Sequence, residues 1–304
     1  MKMFNEEDIQ ERIGDTYKKS KSLLHLEDCE KEFIRLANKY KIEWEYDCVA
    51  MELPYFKTIA YTEYAHTFMI KPLQNEIRYT QWIDAYNDNI QGDMGWMDYW
   101  ADRIKRGEAN KYADMTASNL KPRKAIAVLL GSNKLKEAIC ANKMCFLRDR
   151  WHDDIYFKPH PLTTYQLVGE LKDMLGGRKV LDREVDLHPL LLGAEYVYTS
   201  HWSESAMYAV ALDKKIDPID VYNRVPEASF YHINSHLFRE KDPKAWMTRA
   251  LNSSKSGMIN PELDSNWKQR MAEYFEYVMD WREDNRYKYV YNTGGTIPKP
   301  KKKK

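Results

Sequence analysis

The sequence predicts an α/β protein whose second half is built on a parallel sheet, preceded by a smaller mixed α/β unit. Three observations predict this. Lys124–Ser132 (KAIAVLLGS) is a continuous apolar run ending in Gly-Ser, as in a strand buried on both faces. From there to residue 222, short β-favouring runs alternate with stretches of helical period, the pattern of a doubly wound, Rossmann-like sheet. Hydrophobic residues also make up 43% of the 304-residue chain, with aromatics at 13%. That is enough apolar mass for a sizeable core, and it argues against global disorder.

Taken in order, residues 5–22 and 28–41 are charged and broadly helical. The second stretch places Phe33, Leu36, Ala37 and Tyr40 on one face at i, i+3, i+4, i+7. β-favouring stretches follow at Trp44–Leu53 and Lys57–Tyr64, and then Asn75–Asn119, rich in Trp, Tyr and Asp, reads as irregular helices. After Lys124–Ser132 come a helix over Asn133–Cys145, strand and turn over Asp154–Pro161 (DIYFKPHP), and a helix over Thr163–Leu175. A short strand at Arg178–Leu181 and a brief helix at Leu187–Ala194 lead to the strand Glu195–His201 (EYVYTSH). The helix Ser203–Asp213 and a last strand at Lys215–Tyr222 complete the sheet. Two helices follow, Asp242–Asn252 and Pro261–Asp284. In the second, Trp267, Met271, Tyr274, Phe275, Val278 and Trp281 form a wide apolar stripe that reads as core packing. Asn292–Lys304 has no means of burying itself and is expected to be disordered.

The implied division is an abbreviated N-terminal domain over 1–120, a Rossmann-like domain over 121–240, helices packing across the junction over 241–290, and a basic tail over 291–304. Lys plus Arg total 47 against 46 Asp plus Glu, a net charge of +1. Five positive charges (Lys299, Lys301, Lys302, Lys303 and Lys304) lie in the last six residues, so the body without them carries −4. A mildly acidic body argues against a surface that coats nucleic acid as a whole, while a local groove stays compatible. No apolar run approaches the roughly 18 to 20 residues of a membrane span, and the charged start MKMFNEEDIQER does not read as a signal peptide. A cytoplasmic protein is expected. Its four cysteines form neither a CxxC pair nor a zinc ribbon and read as reduced thiols. His232 and His236 share a helix face without a nearby carboxylate and read as structural, so no metal site is expected.

Ligands of open parallel sheets sit outside the carboxyl ends of the strands, and three such ends here carry unusual polar chemistry. They are Gly131 and Ser132, then Lys158, His160 and Pro161, then the run from Thr199 to Ser205 with Ser200, Ser203, Glu204 and Ser205. Ser203 is placed to cap the following helix, whose free amides and dipole suit an anion. The serine hydroxyls and the His160 imidazole suit the oxygens of a phosphate or diphosphate held across two strand ends.

The order KAIAVLLGS, KPHP and VDLHPLLLGAEYVYTSHWSESAMYAVALDKKIDPIDVYN resembles the nucleotide-binding half of GT-B glycosyltransferases. It is most similar to the branch with a K-x-H-P motif followed by a Ser/Thr motif. That branch includes bacterial polysialyltransferases, capsule Kdo transferases and related glycerophosphotransferases. The resemblance covers about residues 121–225 and is absent from the first 120. It implies that Lys158, His160 and Pro161 form the first motif, and that Ser200, Ser203 and Ser205 lie where the second is expected. Ser132 and Glu204 are placed at the same donor site. The implied donor is a nucleotide sugar, with a UDP-sugar first among the candidates and CMP-sugars also used by the branch. No cofactor beyond that substrate is implied.

The chain has no Asp-x-Asp, no GxGxxG and no P-loop, which weighs against metal-dependent GT-A, dehydrogenase and NTPase readings. The 120-residue N-terminal part is shorter than the second Rossmann-like domain usual in GT-B enzymes. Transfer to a hydroxyl needs a base facing the donor. Glu63, with His66 beside it in YTEYAH, and Asp93 in the loop QGDMGW are the candidates. For the acceptor, hydroxymethylated bases of phage DNA are the first expectation, because the Trp82–Trp100 region and the basic tail suit them, in the manner of the glycosyltransferases of large DNA phages. A capsule or lipopolysaccharide glycan fits the motif resemblance equally well. A nucleotide-binding protein without transfer activity is the reading from a different class.

Overall fold

The computed structural model describes residues 26–42, 44–46, 59–72, 75–109, 115–116, 120–131, 139–220 and 230–293. The helix expected over 5–22, the basic tail from 294 onward, and Ser132 lie outside these residues.

The first elements are α1 (Glu27–Tyr40), β1 (Trp44–Tyr46), β2 (Ile59–Tyr64), β3 (Thr67–Pro72), α2 (Asn75–Asn87) and α3 (Trp96–Lys105). In α1, the predicted apolar face is the one that buries, with Phe33, Leu36 and Ala37 fully enclosed. β2 and β3 form a hairpin closed by the two residues Ala65 and His66, with Tyr64 opposite Thr67. Both turn residues have positive φ, 52° and 59°. That suits the right-handed twist of a tight hairpin but ordinarily selects Asn and Gly, so an Ala-His turn is strained and must be held by its surroundings.

The second half supplies β4 (Ala125–Val128), α4 (Ala141–Trp151), β5 (Ile155–Lys158), α5 (Tyr165–Leu175), α6 (Leu187–Gly193), β6 (Tyr196–Thr199), α7 (Ser205–Ala211) and β7 (Lys215–Pro218). The four strands form one parallel sheet in the order β5-β4-β6-β7. Alternation along β4 explains its unbroken apolar run. Ile126 and Val128 pack toward α3 and α7, while Ala125 and Ala127 pack toward α4 and α5. The stretch 178–181 differs from expectation: it contributes a single bridge, Val180 with Phe157, and no strand.

The last described elements are α8 (Tyr231–Arg239), α9 (Pro243–Asn252), β8 (Met258–Ile259) and α10 (Trp267–Thr293). β8 pairs with β3, so the first sheet runs β1-β2-β3-β8 and is completed from the far end of the sequence. Met271, Tyr274, Phe275 and Val278 of α10 share one core with Phe33 and Leu36 of α1. Arg270, 6% exposed, ties this junction together. Its guanidinium donates to the carbonyls of Leu251, Asn252, Ser253 and Met258.

One compositional expectation is overturned by packing. Trp82, Trp96 and Trp100 are almost wholly buried, at 1% exposure or less. They are core, where a tryptophan removes its large apolar surface from water. No nucleobase can stack on them.

Candidate functional site

The strand order places the first strand, β4, between the second, β5, and the third, β6. Chain direction across the sheet therefore reverses between β4 and β6, and the crevice beyond their carboxyl ends is the topological switch point. Gly131, Ser200 and His201 follow these two strands, and His160 follows β5 next door.

His160 is half-buried at this rim and packs against Gly131. A Cβ built on Gly131 would lie 3.3 Å from the His160 Nδ1, so the glycine leaves room for the ring. Nδ1 accepts from the backbone N–H of Leu162 at 3.1 Å. A neutral ring with that contact carries its proton on Nε2, which makes Nε2–H a donor. Pro161 is half-buried beside it.

Lys158 takes a different role from the one its motif suggests. It is 2% exposed, and its ammonium donates to the carbonyls of Pro159 and Arg183 at 2.5 and 2.8 Å. Burial pulls its pKa down to about 7, against the opposing pull of Glu184 and Asp186. The side chain braces the loop under His160 and does not present a charge to the crevice.

The serine run is also inward-looking. Ser200 Oγ donates to Asp220 Oδ2 at 2.6 Å. Ser205 Oγ lies 2.5 Å from Thr199 Oγ1 and 2.7 Å from Ser203 Oγ. The expected cap at Ser203 is displaced: α7 begins at Ser205, has only seven residues, and its N-cap, Glu204, makes no side-chain cap bond. Ser203 Oγ instead accepts from Ser205 N at 3.3 Å. These hydroxyls shape the rim through one another and do not form an open phosphate cradle.

Asp220 was not singled out from the sequence, yet it organises this end of the sheet. Its carboxylate accepts from Ser200 Oγ, from His201 N at 2.8 Å, and faces His201 Nδ1 at 2.7 Å. A carboxylate at that distance holds Nδ1 in its protonated form, as in an Asp–His dyad. The ring is enclosed by Tyr231 and Phe238, with centroids at 5.2 and 4.8 Å. The available signal was an acidic residue two positions past the strand KIDP, beside the strand that leads into Ser-His.

Glu204 links the two sheets. Its Oε2 accepts from Ala65 N at 2.9 Å, while the Ala65 carbonyl accepts from Trp100 Nε1 at 2.6 Å. Tyr64 OH donates to Asn234 Oδ1, and the Asn234 amide donates to the carbonyls of His201 and Ser203. The strained hairpin turn is thus pinned onto the carboxyl end of the parallel sheet.

The two acceptor-base candidates fare differently, and neither faces the crevice. Glu63 is on the hairpin but only 3% exposed. It sits opposite Phe68 and two residues from Tyr61, on the face covered by α1 and α10, while Tyr64 points to the parallel sheet. Glu63 Oε1 lies 3.7 Å from His66 Nδ1. Asp93 is at the wrong end of the molecule. Its carboxylate closes a turn by accepting from Gly95 N at 2.8 Å, and the neighbouring Gly92 lines a cavity with Asp213 and Lys244. Asp213 precedes β7, which puts that loop at the amino end of the sheet. His236 stacks on Trp246 at 4.4 Å, in keeping with the structural reading of that histidine pair.

No family model matches the sequence, and no curated protein matches it. Solved structures similar to it include the Thermosulfurimonas dismutans KpsC, a beta Kdo 2,7 transferase, at 12% identity and a TM-score of 0.35, covering 62% of this chain and 69% of that one. Another is the wall teichoic acid polymerase TagF, at 11% identity and a TM-score of 0.28, covering 70% of this chain and 50% of that one. The chain thus spans half the length of the TagF chain. At these scores neither likeness assigns a function. No helix among the described residues is long and apolar enough to cross a membrane.

Proposed function

We propose that the chain is a glycosyltransferase that moves a sugar from a nucleotide-sugar donor, a UDP-sugar first among candidates, to a hydroxyl acceptor. The observation that carries this reading is His160 at the switch-point rim, its ring seated against Gly131 and its Nδ1 engaged by Leu162 N. A fixed Nε2–H donor there suits the leaving phosphate, whose growing negative charge a metal-free enzyme must neutralise with its own dipoles and side chains. The K-x-H-P resemblance points the same way, with Lys158 bracing the loop from beneath. Ser200, held by Asp220, and the Ser203–Ser205 pair set the shape of the opposite wall.

The acceptor we favour is a glycan hydroxyl of capsule or wall type. Hydroxymethylated DNA is the competing acceptor, and the burial of Trp82, Trp96 and Trp100 removes the aromatic argument for it. A second reading, nucleotide binding without transfer, is favoured by the enclosure of Glu63, which leaves the rim without the acceptor base expected from the sequence.

The test is a thermal-shift and calorimetry screen against UDP-, GDP-, CMP- and dTDP-sugars and their free nucleotides, followed by transfer assays with both acceptor classes. Binding with turnover supports the transferase reading, and binding without turnover supports the second. His160→Ala should abolish donor binding or turnover while the fold persists. Unchanged affinity and rate in that variant would sink the site.

A further inference from the structure

Among the described residues, the large hydrophobic side chain most open to solvent is Tyr165, at 64% exposure. It opens α5, five residues after His160 along a loop closed by a Thr163 N–H to His160 carbonyl bond of 2.9 Å. An aromatic ring left this open costs apolar burial, and such rings on ordinary surfaces are free to rotate. This one is clamped. Its hydroxyl donates to Glu184 Oε1 at 2.7 Å. The Arg183 guanidinium lies under the ring, 3.8 Å from its centroid. Arg183 is fixed in turn by Nη1 donating to the Thr163 carbonyl at 2.8 Å and Nε donating to Glu184 at 2.6 Å. Its backbone carbonyl also receives the Lys158 ammonium.

With one face covered by Arg183, the exposure of Tyr165 belongs to its other face and edge. The result is a flat, rigid, solvent-facing aromatic surface on the same rim as His160, its orientation fixed before any ligand arrives. We propose that Tyr165, backed by Arg183 and Glu184, is the platform on which the nucleobase of a nucleotide ligand stacks while the phosphates lie toward His160. This inference rests on the donor-site reading above and adds the base subsite to it. Every base presents a π-face, so stacking alone is tolerant of base identity. A pre-positioned ring also loses little conformational freedom on binding.

The experiment measures affinities of UDP, CMP, GDP and dTDP by calorimetry for the wild type, Tyr165→Ala, Tyr165→Phe and His160→Ala, with inorganic pyrophosphate as a base-free probe. Tyr165→Ala should weaken the nucleotide that the wild type binds by about 5- to 150-fold, the range expected for one stacked base. Tyr165→Phe should stay within about threefold, because it keeps the ring and the Arg183 contact. Pyrophosphate affinity should be unchanged in Tyr165→Ala and reduced in His160→Ala. Nucleotide affinity unaltered in Tyr165→Ala overturns the platform and leaves the donor site standing. An equal loss of pyrophosphate and nucleotide affinity in that variant also overturns it, because the ring would then only be supporting the loop. A wild type that binds none of the four nucleotides overturns the donor-site reading, and the platform with it.

Discussion

Replacing Asp220 by Asn tests the organisation of the rim without altering its shape. The carboxylate receives Ser200 Oγ–H and His201 N–H on Oδ2 and faces His201 Nδ1 from Oδ1. An asparagine keeps the first two bonds if its carbonyl occupies the Oδ2 position. Its amide then points a donor at His201 Nδ1, which must give up its proton and accept, so the proton moves to Nε2. The energetic cost is the difference between charge-assisted and neutral hydrogen bonds, about 1–2 kcal/mol in total. Asp220→Ala leaves three enclosed donors without an acceptor at about 1–3 kcal/mol each, so a loss on the order of 5 kcal/mol is expected. Urea denaturation of the two variants measures the contrast, and 15N correlation spectra of the imidazole report which nitrogen of His201 is protonated. The expected outcome is a mildly destabilised Asn variant with the His201 proton transferred to Nε2, beside a severely destabilised Ala variant. Equal losses in the two variants, or a wild-type ring protonated at Nε2 and not at Nδ1, would refute the dyad.

Three further perturbations address separate parts of the structure. Gly131→Ala places a Cβ 3.3 Å from His160 Nδ1, so the ring must shift by a few tenths of an ångström; nucleotide affinity should fall about tenfold with stability changed by less than ~1 kcal/mol, and unaltered affinity would separate the ring's position from binding. Arg270→Met removes the donors to four backbone carbonyls and should cost about 3–5 kcal/mol, or roughly 10 °C in Tm by calorimetry; a loss below ~1 kcal/mol would show that the α9–β8–α10 junction holds without it. Burial holds Lys158 at about 7 against its usual 10.5, so the unfolded chain binds the extra proton between those values and stability should rise with pH from about 7 toward 10.5. The penalty, on the order of 5 kcal/mol, is fully present below pH 7. In Lys158→Met that rise should flatten when urea midpoints at pH 6 and 9 are compared, and parallel slopes in the two proteins would place the titration elsewhere.

The contrast between what could and could not be read from the residues has a physical pattern. Strand positions were legible because burial on both faces forces an unbroken apolar run, and KAIAVLLGS and EYVYTSH each contain a strand at the predicted place. The rim followed from those strands, since a residue directly after a parallel strand lies at its carboxyl end whatever its side chain does. Side-chain partners were not legible, because they are set by contacts distant in sequence. Ser200 finds Asp220 twenty residues on, and Glu204 finds Ala65 at a separation of 139. The joining of β8 to β3 is of the same kind, for a two-residue strand leaves no periodic trace.

Glu63 is the instructive intermediate case. Period-two alternation already places it with Tyr61 and against Tyr64, so the apolar content of its own face predicted enclosure. An acidic residue close to a histidine in YTEYAH suggests a base, but that alternation overrides the suggestion. The same consideration explains Lys158: it ends a strand whose other residues are all buried, and the alternation that sinks Tyr156 sinks it too. His160, two residues beyond the strand and past a proline, has left the pleat and is released to the rim. Position past a strand is not enough by itself, since Ser200, His201 and Asp220 also follow their strands and are buried; His160 differs in standing half-buried at the rim. On the donor-site proposal His160 is therefore the side chain placed to meet a phosphate, whereas Lys158 braces the loop beneath it and Glu63 is enclosed.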